Sequence, residues 1–194
     1  MQIPAVDDGL ERFLRAALPL PPDVGDVSFE RPTGSWSAQL GRIVVNLFLY
    51  GVSRSALPAS GGGSRPGPDG RLEVRDGGAL VDLHYLVSAW ASTVADEHRL
   101  LGDVLGRLLT HQTLPPEHLS VPLAADVRLT LSKDEAHRAR DLWASLGSPH
   151  KASFTLVATV AADPSAWRPA APPVQRVEGR ARAVSAVTET GRRR

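Results

Sequence analysis

Residues 81–110 read VDLHYLVSAWASTVADEHRLLGDVLGRLLT and carry the clearest structural signal in the chain. In the first part, apolar side chains occupy every second position, which is the period of a β-strand: Val81, Leu83, Tyr85, Val87 and Ala89. In the second part they recur at helical spacing and form one apolar stripe: Leu100, Leu101, Val104, Leu105, Leu108 and Leu109. Thr93 or Asp96 is placed to cap the N-terminus of this helix, where Glu97 also suits the helix dipole. The stretch therefore predicts a long strand that ends near Trp90 and an amphipathic helix that follows it.

The residues before this stretch predict one helix and two strands. Apolar residues at helical spacing precede three prolines, so the first helix is expected near residues 3–18. A short strand is predicted at Val24–Glu30. The run Ile43–Tyr50 is β-branched, aromatic and almost continuously apolar, which indicates a central strand covered on both faces.

The residues after it predict a strand, a helix and a last strand. Apolar and polar residues alternate over 127–131, which is typical of a strand. A helix is predicted at Asp134–Leu146, with Trp143 facing inward and Gly147 as its C-cap. The alternation resumes at Phe154–Val160 and predicts the final strand.

These elements make one α/β (α+β) domain at residues 1–162, in which helices flank a mixed β-sheet. Within it, residues 53–76 are rich in Gly and Pro and almost lack large apolar side chains, which predicts a flexible surface loop. Residues 163–194 contain four prolines, seven arginines, three acidic residues and no hydrophobic period, which predicts a disordered basic tail. The tail has a net charge of +4, so residues 1–162 carry −3 of the total of +1.

Composition narrows the class of protein. The chain of 194 residues has 42% hydrophobic and 22% charged residues, as expected for a soluble globular domain. No apolar run approaches the ~20 residues that span a bilayer, and the first residues do not resemble a signal peptide. Cysteine is absent, which excludes disulfides, thiolate metal ligands and a cysteine nucleophile. We therefore expect a cytoplasmic protein.

The sequence offers no constellation of residues that would make an active site. Gly61-Gly62-Gly63-Ser64 is followed by Arg-Pro and not by Lys and a helix, so it is not a phosphate-binding loop. Gly34-Ser35-Trp36-Ser37 lacks the second glycine of a nucleophile elbow. The six histidines form no metal-ligand pair at helical spacing. Asp96-Glu97-His98 opens a helix, where acidic residues are favoured by the dipole alone. We predict a protein that is not an enzyme and that binds neither metal nor cofactor.

Several stretches, in the same order along the chain, resemble one family. Val45–Tyr50 is similar to its V-N-L-[FY]-L-Y strand, and Asp82–Trp90 to its D-L-x-Y-L-V-T-A-W strand. Asp96–Gly102 resembles the D-E-H-x-L-L-G helix start, and Asp141–Gly147 resembles D-L-W-x-[AS]-L-G. The family is that of the tail-terminator or cap proteins of phage-tail-like extracellular contractile injection systems. Its domain was long labelled as one of unknown function.

The resemblance implies a structural protein that forms a hexameric ring on the end of the inner tube and sheath, where it stops polymerisation and stabilises the end. The implied partners are further copies of the chain, the sheath protein and the inner-tube protein, with no membrane. One implied route of contact is the addition of a sheath strand to an exposed sheet edge. The residues predicted to contact neighbouring subunits, sheath or tube are Trp36, Tyr50, Asp96, Glu97, His98 and Arg99.

Two other functions are compatible with the sequence. The chain could be a different assembly adaptor of the same particle, close to the baseplate. The basic tail is also compatible with a nucleic-acid-binding protein. Against the latter, the folded region is slightly acidic and has no basic stripe with interleaved aromatic residues, so nucleic acid is not an expected partner.

Overall fold

A computed structural model of the chain describes residues 3–18, 20–21, 23–59, 61–123, 125–132, 136–148, 150–162 and 165–171. Of the basic tail predicted to be disordered, residues 163–164 and 172–194 lie outside the described residues. Among the helices of the described part, none is long and apolar enough to cross a membrane.

Five strands form the main sheet, in the order β1-β2-β5-β7-β6. Their bounds are β1 Gly25–Ser28, β2 Ile43–Arg54, β5 Leu80–Trp90, β6 Arg128–Leu131 and β7 Ser153–Ala161. β1 pairs parallel with β2, and the other neighbours pair antiparallel, so the sheet is mixed as predicted. The alternating residues 81–90 lie in β5. This is the central strand of the sheet, with the long strands β2 and β7 on its two sides.

Two helices cover one face of the main sheet. They are α1 Ile3–Ala17 and α3 Val94–Thr110. The apolar stripe of α1 packs with the inward residues of the strands into one large core, in which Leu10, Leu47 and Leu83 are fully buried. The N-terminus of α3 is capped by Thr93, whose side chain accepts a hydrogen bond from the N–H of Asp96. The two helices predicted here are thus confirmed. Their apolar residues recur about every 3.6 positions because one face of each helix is buried against the sheet.

The opposite face is covered over part of its area by a second apolar cluster. The helix α4, Ala136–Leu146, places Trp143 and Leu146 against Leu86 of β5. Trp143 is fully buried, which confirms its predicted inward orientation. α4 ends at Gly147, which has a φ of 64° and therefore adopts the left-handed conformation of a helix C-cap. A single-turn helix that the sequence did not predict, α2 Gly34–Ser37, lies before β2.

Residues 63–75 form a hairpin inside the stretch 53–76, for which a flexible surface loop was predicted. β2 continues to Arg54, and β3 Gly63–Pro66 pairs antiparallel with β4 Leu72–Arg75. A Cβ atom at Gly62 would lie 2.8 Å from the backbone nitrogen of Gly77, so this glycine is needed where the two sides of the hairpin meet. β3 is exposed and β4 is mostly half-buried, which is why their composition does not resemble that of a core strand.

The first residues of the predicted tail add a third strand to this hairpin. β8, Arg168–Pro169, pairs antiparallel with β4, and the N–H of Ala170 donates to the carbonyl of Leu72. Arg168 donates two hydrogen bonds to the carboxylate of Asp76, at 3.0 and 3.2 Å. The folded part therefore extends beyond residue 162, to at least residue 171.

Three edge strands, β1, β6 and β3, each carry a described position that opposes the addition of a further strand. In β1 the N–H of Val27 donates to the side chain of Asp26, and in β6 the N–H of Leu129 donates to the carbonyl of Gln112. The register places Pro66 with its backbone turned away from β4, and proline has no N–H to donate. An added strand would have to displace the hydrogen bond already made at Val27 or at Leu129. Beside β3 it would meet Pro66, which has no N–H to donate.

A buried hydrogen bond connects α1 to the sheet. The hydroxyl of Tyr85, a residue with no exposed surface, donates to the carboxylate of Asp7 at 2.6 Å. Burial raises the pKa of Asp7 above its usual value, and the hydrogen bond from Tyr85 opposes this rise. Burial and the neighbouring carboxylate also raise the pKa of Tyr85, so the phenol stays protonated.

The raised pKa of Asp7 predicts that stability depends on pH. Because the folded-state pKa exceeds the unfolded value of about 3.9, the folded state binds more protons between the two values, and stability falls as pH rises through that window. We expect Asp7→Asn to remove this loss while its amide oxygen still accepts from Tyr85. Urea unfolding between pH 3.5 and 7 should show the stability of the variant relative to the parent increasing with pH. An identical pH profile for both proteins would contradict the raised pKa.

Candidate interface at the tryptophan end of the sheet

One end of the main sheet gathers the start of β2, the end of β5 and the start of α3. Val44 pairs with Trp90 there, and Thr93 begins the next helix. A cleft of about 460 Å³ opens at this end, and its lining includes Asp23, Val24, Leu40, Arg42, Ile43 and Trp90. A neighbouring cleft of about 170 Å³ shares Val24 and Ile43 and adds Asp96, Arg99, Leu100 and Asp103. We call the residues of these two clefts, with Trp36 and Val94, the tryptophan end.

Three tryptophans form a connected series beneath this surface. The rings of Trp36 and Trp90 meet edge to face with centroids 5.3 Å apart, and Trp90 lies 6.2 Å from Trp143. α2 positions Trp36, because the side chain of Thr33 caps this turn by accepting from the Trp36 N–H. Trp36 is half-buried, whereas Trp143 belongs to the core. The aromatic surface at this end is therefore supported by packed residues and is preorganised for contact.

An ion pair lies beside the middle tryptophan. The ammonium group of Lys151 pairs with the carboxylate of Glu97 and lies 4.4 Å from the ring centroid of Trp90. The side chains of Lys151 and Glu97 are only 15% and 19% exposed, so water screens the pair weakly. Glu97 also accepts from the N–H of Ala91. The predicted interface residue Glu97 thus holds the end of β5 to the start of α3.

Breaking this pair is expected to destabilise the fold. Lys151→Met should lower the free energy of unfolding by about 2 kcal/mol, since it leaves the largely buried carboxylate of Glu97 without its cation. The double variant Lys151→Met/Glu97→Gln should recover part of the loss, because no unpaired charge remains. Chemical denaturation of the four proteins of this cycle measures the effect. Additive losses would contradict the coupling.

Three further predicted residues lie on the exposed first turn of α3. Asp96 accepts hydrogen bonds from Thr93 at 2.6 Å and from Arg99 at 2.8 Å. The hydrogen bond from Thr93, followed by the charge of Arg99, lowers the pKa of Asp96. Arg99 and His98 are exposed. The N-cap of α3 is Thr93, and Asp96 and Glu97 lie in the first turn, where the helix dipole favours acidic side chains.

Tyr50 lies away from the other predicted residues. It is half-buried near the other end of the second cluster, and its hydroxyl pairs with that of Thr155 at 3.1 Å. Its ring contacts that of His84, with centroids 6.1 Å apart. The structure therefore brings together Trp36 and the 96–99 turn but does not bring Tyr50 to the tryptophan end.

One aromatic residue was missed in the sequence. Trp167 lies between the guanidinium groups of Arg65 and Arg75, at 4.4 and 4.7 Å from its ring centroid. It fastens the start of the predicted tail to the hairpin. The signal available in the sequence was a lone tryptophan beside Arg168 in a segment otherwise composed of small residues and prolines.

The side chains at the tryptophan end are suited to contact with another protein. Among the described residues, no group of three or more His, Cys, Asp or Glu side chains could hold a metal ion. The tryptophan end instead combines aromatic rings, apolar side chains and charges of both signs in a shallow cleft. Tryptophan and arginine are among the residue types enriched at protein–protein interfaces.

Two solved structures share this fold. The first is the sheath/tube terminator, in the extended state, of the extracellular contractile injection system PVC. It aligns with a TM-score of 0.64 and 18% identity, over 97% of this chain and 66% of that chain. The second is the tube-terminating cap of the anti-feeding prophage, with a TM-score of 0.61 and 16% identity, over 93% of this chain and 62% of that chain. The fold is that of the terminators of contractile injection systems, and the chain spans less than two thirds of the length of either protein.

The sequence itself assigns the family. The profile of the family described as the Pvc16 N-terminal domain matches residues 5–176, and the chain belongs to this family. A comparison with curated protein sequences gives no match. The predicted resemblance and fold class are confirmed. The matched region, like the folded part, continues past residue 162.

Proposed function

We propose that this protein is a structural terminator that caps the end of the tube and sheath of a contractile injection system. The observation that carries the proposal is the membership of residues 5–176 in the Pvc16 N-terminal domain family, together with the fold of two terminator proteins. The protein acts by occupying the last layer of the polymer, so it needs no catalytic step. Its partners are the sheath protein, the inner-tube protein and further copies of itself.

In this role, copies assemble into a closed ring, a hexamer. A ring forms when two different surfaces of each copy meet under a rotation that closes. Synthesis takes place in the cytoplasm, and the ring then joins the particle. The contact surface includes Trp36 and the first turn of α3, with His98 and Arg99 exposed to a partner, Asp96 half-buried beside them and Glu97 supporting them from within. Tyr50 contributes through the exposed part of its ring at a separate place.

The sheet edges favour contacts made by side chains over the addition of a sheath strand. A strand that joined β1 or β6 would compete with the hydrogen bonds at Val27 or Leu129. Such competition reduces the gain from each new backbone bond, since one bond is exchanged for another. The aromatic cleft at the tryptophan end presents a surface that is ready for a partner without this exchange.

Electron microscopy of particles from cells that lack the gene tests the proposal. Without a terminator, tubes and sheaths should be absent, ragged or of irregular length, and expression of the gene in trans should restore a defined length. A tag on the protein should label the end of the particle opposite the baseplate. Particles of normal length with normal ends would contradict the proposal, and a label at the baseplate would favour an adaptor.

A further inference from the structure

Exposed apolar side chains concentrate at two ends of the longest strand pair. Val24 and Val94, exposed by 43% and 65%, belong to the tryptophan end. Val52, Leu57 and Leu72, exposed by 52%, 41% and 54%, lie where β2 ends and the hairpin follows. We call the latter residues, with Arg54, Arg71 and the strands β3, β4 and β8, the hairpin end. Large apolar side chains left open in groups are a feature of surfaces that bind other proteins.

The charges without partners at these two ends are opposite in sign. At the tryptophan end, Asp23 and Asp103 have no ion-pair or hydrogen-bond partner among the described residues. At the hairpin end, the exposed Arg54 has no such partner within the same described part. Arg71 is 83% exposed and lies 3.7 Å from Asp69, a distance at which the pairing is weak.

Each end is held in shape before any partner arrives. The three tryptophans support the first end. Trp167 between its two arginines and the double hydrogen bond from Arg168 to Asp76 hold the second. A surface that is already ordered loses less conformational entropy on binding.

We propose that these two ends are the two halves of one interface, so that the tryptophan end of each copy binds the hairpin end of the next. The proposal rests on the proposed function and names the surfaces that would build its ring. The geometry is suitable: at about 3.3 Å per residue, the 12 residues of β2 separate the two ends by about 36 Å. Two different and complementary surfaces on opposite sides of one molecule make a head-to-tail contact, which can close into a ring. Apolar groups supply the contact area, and the opposite charges set the direction.

Cysteine cross-linking in particles tests the inference, because the natural chain has no cysteine. The double variant Val94→Cys/Leu72→Cys places one thiol at each end. Treatment of assembled particles with a short bismaleimide should produce a ladder of dimers and higher multimers on a denaturing gel. Each single variant should stay monomeric, because in a head-to-tail contact equivalent residues do not meet.

A matched pair provides the control. Leu109 is 63% exposed, close to the 65% of Val94, but lies at the other end of α3. Leu109→Cys/Leu72→Cys should therefore give no ladder. A ladder from this control, a dimer from Val94→Cys alone, or no ladder from capped particles of the test variant would overturn the inference while leaving the terminator function in place. Absence of the chain from the particles would overturn the terminator function, and the proposed interface with it.

Charge reversal tests the pairing of the two ends. In the Val94→Cys/Leu72→Cys background, Asp103→Arg or Arg54→Glu should reduce the ladder about tenfold, since each brings like charges together. Combining Asp103→Arg with Arg54→Glu should restore it, because opposite charges face each other again. Unchanged ladders in the single reversals, or no recovery in the combination, would overturn the assigned pairing. Neither residue has an internal partner among the described residues, so the fold is not expected to change.

Discussion

Trp143→Ala should lower the free energy of unfolding by about 3–5 kcal/mol, the range found when a large buried aromatic residue is truncated. Trp143 has no exposed surface and is the largest of the fully buried side chains. Its indole N–H donates to the hydroxyl of Ser153 at 3.0 Å, so truncation also removes a hydrogen bond. Since α4 covers its face of the sheet through Trp143 and Leu146, the loss should release much of that helix.

Urea unfolding followed by far-ultraviolet circular dichroism measures this effect. Trp36→Ala is the matched control, because the residue type is the same but Trp36 is half-buried and outside the main core. We expect the control to lose about 1 kcal/mol, in line with substitutions at partly exposed sites. Equal losses for Trp36→Ala and Trp143→Ala would show that the second cluster does not depend on Trp143.

Phe13→Ala is the second substitution for which we expect a loss of about 3–5 kcal/mol. Phe13 is 2% exposed on the inward stripe of α1, and its ring contacts those of His111 and His118 edge to face, with centroids 4.9 and 5.8 Å apart. It therefore joins α1 to the segment that follows α3. Removal of the ring would leave a cavity between α1 and the distant segment that holds His111 and His118.

Thermal and urea unfolding give the loss, and amide hydrogen exchange locates it. Exchange should accelerate most in α1 and near His111, because these segments lose their shared contact. Leu109→Ala, at a side chain that is 63% exposed, should change stability by less than about 0.5 kcal/mol. A Phe13→Ala protein as stable as this control would contradict the packing of α1 described above.

Elements with a strong period could be predicted because burial enforces the period. The helix from Val94 buries one face and exposes the other, so its sequence shows the helical period. The strand to Trp90 is covered on both faces, but Leu83, Tyr85 and Val87 all face the larger core, which gives the strand its apolar alternation. The buried role of Asn46 could not be predicted from such a pattern. It is fully buried within an apolar strand, and its amide donates to the carbonyls of Ser28 and Glu30, 18 and 16 residues earlier in the chain. Nothing local to Asn46 indicates those acceptors.

The hairpin was missed for a related reason. Its strands are short and neither is fully buried, so residues 53–76 show no apolar alternation. The contacts that hold these strands come from Trp167 and Arg168. Arg168 lies about 90 positions after its partner Asp76 in the chain. The sequence showed glycine and proline in the hairpin and arginine in the tail, and only the fold brings the two segments together.

The candidate site was predictable in part. Acidic residues at the start of α3 are expected from the helix dipole, and Thr93 was one of two predicted caps. The contact of Trp36 with Trp90 was not predictable, since it depends on a single turn of helix that lies 54 residues before its partner. Aromatic residues in loops signal a possible contact, but only the structure shows which surface they join.

The protected positions on the sheet edges have a consequence for free copies of the chain. Free copies at high local concentration meet one another often, and open strands would let them stack irreversibly into fibrils. The Asp26 side chain, the Gln112 carbonyl and the Pro66 ring each oppose such stacking. Such features would keep free copies apart until the proposed side-chain contacts bring them into an assembly.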